Sequence, residues 1–371
     1  MEQASPTSPT SLSSAHVFSD EDPVHKLGAA AILVHRHVEE LEELIELRKK
    51  GWTESDLNNH FKTTRRIADE QNDRQTQYWY KAMKPVMSEL DDAARFIPTF
   101  GNFEFLDIGC SPGGFSARVL EKNRYASGVG ISLPPSMGGY EFSLERRLQL
   151  RQRYRLIEQD IMTYDLHMTD AGTAQPFPKD LCARFALVIL DGHALRTYSA
   201  PGDTPDDPRL AQAVYRDALL IGQFIIGLLA VRMGGTVVVK LSHLECSPAA
   251  HLVYLLDAIS DTLVLHKPAI MHSNRGTFYA VAKGVGHGQH ADMKDVYLDG
   301  LRDLWRELRL NQSGLISVSY FAEEFILLGD FLWSLRGRWH VEADMTRSPW
   351  TGHLPGILKV KKRPCITPAA C

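Results

Sequence analysis

One segment constrains the fold more than any other: FLDIGCSPGGFSARVL, residues 105–120. An apolar run (Phe105, Leu106, Ile108) leads into a glycine-rich turn, Gly109, Cys110, Ser111, Pro112, Gly113 and Gly114, and a helical pattern begins at Phe115. Strand, tight turn, helix is the unit that opens a parallel α/β sheet. Glycines let the backbone fold back tightly and approach a ligand closely. Two later segments also end apolar runs with polar chemistry. LVILDG (187–192) ends in Asp191 and GGTVVVKLS (234–242) ends near Lys240. A single glycine turn is a weak signal. Three strand ends carrying glycine, aspartate and lysine are stronger, because open α/β sheets bind ligands at the carboxyl ends of their strands.

The surrounding pattern extends this reading. Apolar runs at 104–108, 127–131, 155–158, 186–190, 236–240, 262–266 and 277–282 read as strands, with helical segments between most of them. Seven such strands predict an α/β fold: a doubly wound, mostly parallel sheet. The last two lack a helix-length connection and predict a hairpin, hence one antiparallel edge. Four regions follow: a Ser/Pro/Thr-rich disordered segment at 1–23, a helical N-terminal region at 24–100, the α/β domain at 101–286, and a helical extension with a basic tail at 287–371. Within 24–100, one helix is expected to stop at Gly51 and a second to open at Thr53. A helix is expected near 293–310.

Net charge is -4 over 371 residues, so any nucleic-acid surface must be a local patch. Two basic clusters qualify: Arg146, Arg147, Arg151, Arg153 and Arg155; and Lys62, Arg65 and Arg66, near Tyr78, Trp79 and Tyr80. Each reads equally well as a solvated helix face. The 5 cysteines form no CxxC pair and read as reduced thiols, and the 15 histidines show no paired-ligand spacing, so no metal site is expected. The apolar run 218–231 is short and interrupted by Gln223, and reads as a buried helix rather than a membrane span.

Across residues 78–284 the chain resembles the FtsJ/RrmJ-type ribose 2'-O-methyltransferases, and within them the eukaryotic mRNA cap ribose methyltransferases. LDIGCSPGGFS, GVGISL (128–133), EQDI (158–161), LVILDG, GGTVVVKLSHLE and FYAVAKG carry the resemblance. It implies a Rossmann-like fold, S-adenosyl-L-methionine as cofactor, an RNA substrate and an intracellular setting, nuclear or cytoplasmic. Asp107, Gly109, Cys110, Ser111, Pro112, Gly113, Gly114, Phe115, Ser132, Asp160 and Asp191 would then contact the cofactor. Asp107 either shapes the glycine turn or faces the sulfonium side. The family's Lys-Asp-Lys-Glu set would place Asp191 and Lys240 as second and third members, with Lys84 the best match for the first and Lys81 its competitor. The fourth position departs from the pattern, with Thr277 where a glutamate is expected. That departure keeps a second reading open, a catalytically weak or inactive cofactor-binding subunit that binds RNA or scaffolds. Methyl transfer to a small molecule is a third. If another group supplies the missing carboxylate's role, Glu245 and His272 are the first candidates.

Overall fold

Each predicted run forms a strand. These are β1 (Phe103–Ile108), β2 (Ala126–Ser132), β3 (Tyr154–Glu158), β4 (Phe185–Leu190), β5 (Val231–Ser242), β6 (Ser260–His266) and β7 (Thr277–Val285). The computed structural model describes residues 34, 37–53, 59, 63, 72–146, 148–167, 175–195, 208–245, 247–273, 275–310 and 357–358. Across the sheet the order is β6, β7, β5, β4, β1, β2, β3, and a two-residue strand, Ile357–Leu358, lies outside β6. The strands from β3 to β5 pair in parallel. The β6–β7 hairpin supplies the antiparallel edge, and β7 inserts between β6 and β5, antiparallel to both. A parallel sheet is covered on both faces, so its central strands are apolar throughout. Accordingly all six residues of β4, FALVIL, are buried.

Six helices matter here: α1 (Glu39–Thr53), α2 (Asp73–Ala94), α3 (Gly114–Lys122), α4 (Pro208–Ala230), α5 (Ser247–Ile259) and α6 (Lys294–Leu310). Helices α2 and α3 cover one face of the sheet, with Val86, Met87, Leu90, Val119 and Leu120 in the core. Helices α4, α5 and α6 cover the other. By length and composition Gln212–Ala230 could cross a membrane; in this fold its Phe224, Ile225, Ile226 and Leu228 are buried in the core.

Local chemistry sets the helix ends. The Asn72 side chain accepts from Gln75 N at 2.8 Å and caps α2. At the other end Arg95 turns left-handed, and the buried Asp91 carboxylate accepts from Phe96 N (3.1 Å) and Ile97 N (2.8 Å) while pairing with Lys122 of α3. Two sequence expectations are corrected at α1. Gly51 lies inside that helix, and Thr53 is its last residue rather than the opening of a second. Glycine costs a helix only about 1 kcal/mol, and the buried Leu41 and Ile45 anchor the segment.

The glycine- and histidine-rich stretch after β7 is docked, not a loose linker. Gly286 N and Gly288 N both donate to Ile259 O, at 2.8 and 3.1 Å. It delivers α6 against α4, where Trp305 packs so closely that a Cβ on Gly222 would meet its Nε1 at 2.9 Å. The segment 1–23, Lys62, Arg65, Arg66 and the basic tail at 359–363 lie outside the described residues.

Candidate active site

The strand order reverses beside β1, whose neighbours are β2 and β4. Connections depart to opposite faces there and open a crevice at the carboxyl ends of the strands. The loops after β1 and β4 are stitched together at that point. Asp191 N donates to Ile108 O (3.1 Å), and Gly109 N donates to Ile131 O (2.8 Å). Gly109 has φ +74, and a Cβ there would sit 2.5 Å from Gly192 Cα, so only glycine fits for both reasons. Gln223 of α4 clamps the same turn, bonding Gly192 N and Gly192 O at 3.1 Å each.

Asp191 and Lys240 meet at this crevice. Lys240 Nζ lies 3.1 Å from Asp191 Oδ1, donates to Asp191 O at 2.8 Å, and is 3.4 Å from His193 Nδ1. The Tyr279 hydroxyl donates to Asp191 Oδ1 at 2.9 Å. Tyr279 and His193 carry no signal of their own in the sequence, and Gln223 stands out there only as a polar break in an apolar run. Tyr279 comes opposite Lys240 because β7 pairs with β5, a non-local pairing that the sequence does not show. Thr277 starts β7 opposite Ser242, two residues from that pair, and so lies on the same sheet face as Lys240.

The glycine turn borders the pair. Gly113, at φ +100, caps α3, and Phe142 lies 3.0 Å from where its Cβ would be. Gly114 lies under α2, with Tyr80 O at 2.7 Å from a Cβ position. Pro112 O accepts from Ser143 N at 3.0 Å. Ser132 Oγ sits 3.4 Å from Ser111 N and braces the turn. The Phe115 ring is buried, 6.0 Å from that of Tyr279. Asp107 is buried beneath. Its Oδ2 accepts from Ser116 Oγ at 2.5 Å, and Ser116 Oγ lies 2.8 Å from the Tyr154 hydroxyl. Burial drives the Asp107 carboxyl up to about 7; the Ser116 bond opposes the shift and the Asp191 charge adds to it. Its Oδ1 is buried with no hydrogen-bond partner among the described residues. Burial also raises the Cys110 thiol well above its usual range. Asp160 caps the turn after β3, accepting from Met162 N at 2.9 Å.

Other candidates sit elsewhere. Lys84 pairs with Glu121 at 2.5 Å. Lys84 directly follows Met83, whose Cβ lies 2.8 Å from a Cβ position on Gly114, while Glu121 is seven residues along α3, roughly 10 Å at 1.5 Å per residue. Lys81 is exposed and directly follows Tyr80, whose carbonyl rests on Gly114. Glu245 pairs with Arg48 of α1 (2.7 Å) and His243 (3.3 Å). Burial alone would raise its carboxyl, but His243 and Arg48 outweigh burial and hold it at about 2. The arginine cluster near β3 is structural where its side chains are described. Arg153 donates to Leu120 O (3.0 Å) and Asn123 O (3.1 Å) at the end of α3 and to Ala126 O (2.8 Å) at the start of β2. Arg151 bonds Tyr154 O, and Arg155 lies 3.4 Å from Asp180. These partners lie where β2 and β3 begin, at the opposite end of the sheet from the crevice. Tyr78 is exposed, edge-on to Trp79, while Tyr80 is buried.

Comparison with known proteins agrees with this geometry. The chain is 28% identical over 195 residues to cap-specific mRNA (nucleoside-2'-O-)-methyltransferase 1 of Danio rerio, covering 50% of this chain and 22% of that protein. Against the Homo sapiens protein of the same name it is 28% identical over 217 residues, 56% of this chain and 24% of that one. The match thus spans less than a quarter of these relatives. A Plasmodium falciparum structure assigned as a ribosomal RNA methyltransferase overlaps 55% of this chain, and 96% of its own, at TM-score 0.33 and 20% identity. The fold description rests on strand order and not on that overlap. A family model, the FtsJ-like methyltransferase, matches residues 86–285, which hold every strand of the main sheet except the Ile357–Leu358 edge piece. Since that span is more than half of the chain and contains the glycine turn, Asp191 and Lys240, the chain belongs to the FtsJ-like methyltransferase family.

Proposed function

We propose that this protein transfers a methyl group from S-adenosyl-L-methionine to a ribose 2'-hydroxyl of RNA, with a cap-like end as the preferred substrate, in an intracellular setting. The observation that carries the reading is the Asp191–Lys240 pair, 3.1 Å apart at the ends of adjacent strands and joined by backbone to the glycine turn. The family membership and the names of the RNA-modifying relatives support the choice of substrate.

The cofactor fits the turn. Asp107 Oδ1 is a buried acceptor in want of a donor, and Gly109 and Gly113 take the left-handed backbone that shapes the turn above it. Residues 109–115, Asp107, Ser132 and Asp160 would hold it. When bound, S-adenosyl-L-methionine supplies an electrophilic methyl carbon. Lys240 directs its hydrogens to Asp191 and to the acceptor hydroxyl, fixing the oxygen in line with that carbon. Asp191, itself held by Tyr279, aims the lysine. Alignment of this kind contributes up to roughly 7–11 kcal/mol in ideal intramolecular cases. Lys84 takes the place of the first family lysine, with Lys81 its competitor; both follow residues that touch Gly114, and Lys84 is paired with Glu121. Tyr78, exposed one helical turn before Lys81, offers a stacking face for a base.

Purified protein, labelled S-adenosyl-L-methionine, and capped, uncapped and 2'-O-methylated RNA oligonucleotides test the reading. Label is expected on capped RNA with a free 2'-hydroxyl. Label confined to small-molecule extracts, or none on any RNA, would refute it. Thr277 favours one second reading, a weak or inactive subunit that binds cofactor and RNA. On that reading Thr277→Glu raises single-turnover transfer well above wild type; on the first reading it does not.

A further inference from the structure

We propose that His272 takes the proton released by the acceptor hydroxyl during methyl transfer, doing what the absent carboxylate at position 277 would do; the inference rests on the methyltransferase reading above. His272 ends a single helical turn, Ala269–His272, between β6 and β7. Both of its ring nitrogens are buried without a hydrogen-bond partner among the described residues. Native proteins rarely leave buried polar atoms unpaired, and the exceptions ask for an explanation such as a catalytic role. The imidazole stands 6.0 Å, centroid to centroid, from the Tyr279 ring. Tyr279 in turn holds Asp191, and Asp191 holds Lys240. The turn is fixed in place by α2, since Glu89 Oε1 binds both His266 Nε2 and Ala269 N at 2.9 Å.

The neighbouring groups are spoken for. Lys240 Nζ faces two oxygens of Asp191 and acts as a donor. Glu245 is neutralised by Arg48 and His243. Thr277 carries a hydroxyl, which is no base at neutral pH. Burial, and then the positive charge of Lys240, hold the His272 imidazole down to about 4, so it is neutral and has a lone pair at pH 7. A low proton affinity is no obstacle, because the hydroxyl becomes a far stronger acid than imidazolium as the methyl bond forms. The proton leaves the ribose oxygen for an imidazole nitrogen of His272. The electron pair freed on oxygen completes the bond to the methyl carbon as the carbon–sulfur bond breaks, its pair staying on sulfur. The imidazolium then gives its proton to water.

The test compares wild type with His272→Gln and His272→Ala in single-turnover transfer to RNA, with cofactor affinity measured by calorimetry and folding by thermal melts. The expected result is unchanged affinity and a rate lower by about 10²–10⁴. Added imidazoles should restore part of the His272→Ala rate, more so for the more basic ones. Glutamine keeps the polarity and bulk but cannot take a proton, so it separates chemistry from packing. A His272→Gln rate near that of wild type, or a loss that no imidazole restores, overturns this inference alone. Wild type that binds cofactor yet methylates no RNA overturns the functional reading and this inference together.

Discussion

Lys240 and Asp107 show how a side chain's surroundings decide its work. The amino group of Lys240 rests among Asp191 O, Asp191 Oδ1 and His193 Nδ1, none of which belongs to the glycine turn. Lys240→Ala should therefore lower methyl transfer by about 10²–10⁴ while cofactor affinity, measured by calorimetry, stays near wild type. Asp107 is a buried carboxyl raised from 3.8 to about 7. Below about pH 4 it is protonated in both folded and unfolded chains and costs nothing. As pH rises towards 7 the unfolded chain ionises first, so the folded state loses stability, by up to about 4 kcal/mol at 1.36 kcal/mol per pKa unit. Asp107→Asn should flatten this loss. Thermal melts of the ligand-free protein from pH 4 to 8 check it, and parallel wild-type and variant curves would contradict it.

At the level of elements, the strand–turn–helix from β1 to α3 forms the proposed cofactor site through backbone shape. Gly113 sits at φ +100, which a β-branched residue cannot adopt without strain, and Phe142 blocks the space a side chain would need. Gly113→Val should abolish cofactor binding; undiminished calorimetric binding in a folded variant would count against the turn as the site. The β6–β7 hairpin does different work. By inserting β7 between β6 and β5 it sets Tyr279 opposite Lys240 and Thr277 beside it, and its connection presents His272. Short continuous apolar runs, LVL and FYAVA, made both strands legible. The insertion of β7 was not, because which neighbour a strand pairs with depends on packing across the sheet.

Over the whole molecule, elements beyond the family match complete the body. Leu41 and Ile45 of α1 are buried, and Arg48 ties that helix to Glu245 just past Lys240. Trp305 of α6 fills a gap over Gly222 in α4. Trp305→Ala should cost about 3–5 kcal/mol in a denaturant titration; a cost under about 1 kcal/mol would mean α6 is peripheral. By itself the sequence determined the seven strands, the glycine turn and the presence of Asp191 and Lys240 at strand ends, because local periodicity and glycine chemistry are written in consecutive residues. Only tertiary structure decided the partners: Glu121 for Lys84, Arg48 for Glu245, backbone carbonyls for Arg153, Asp191 for Tyr279. Those pairs are separated by tens of residues or more. A side chain's charge and reach are fixed by its type, whereas the group that meets it is fixed by how the sheet is wound.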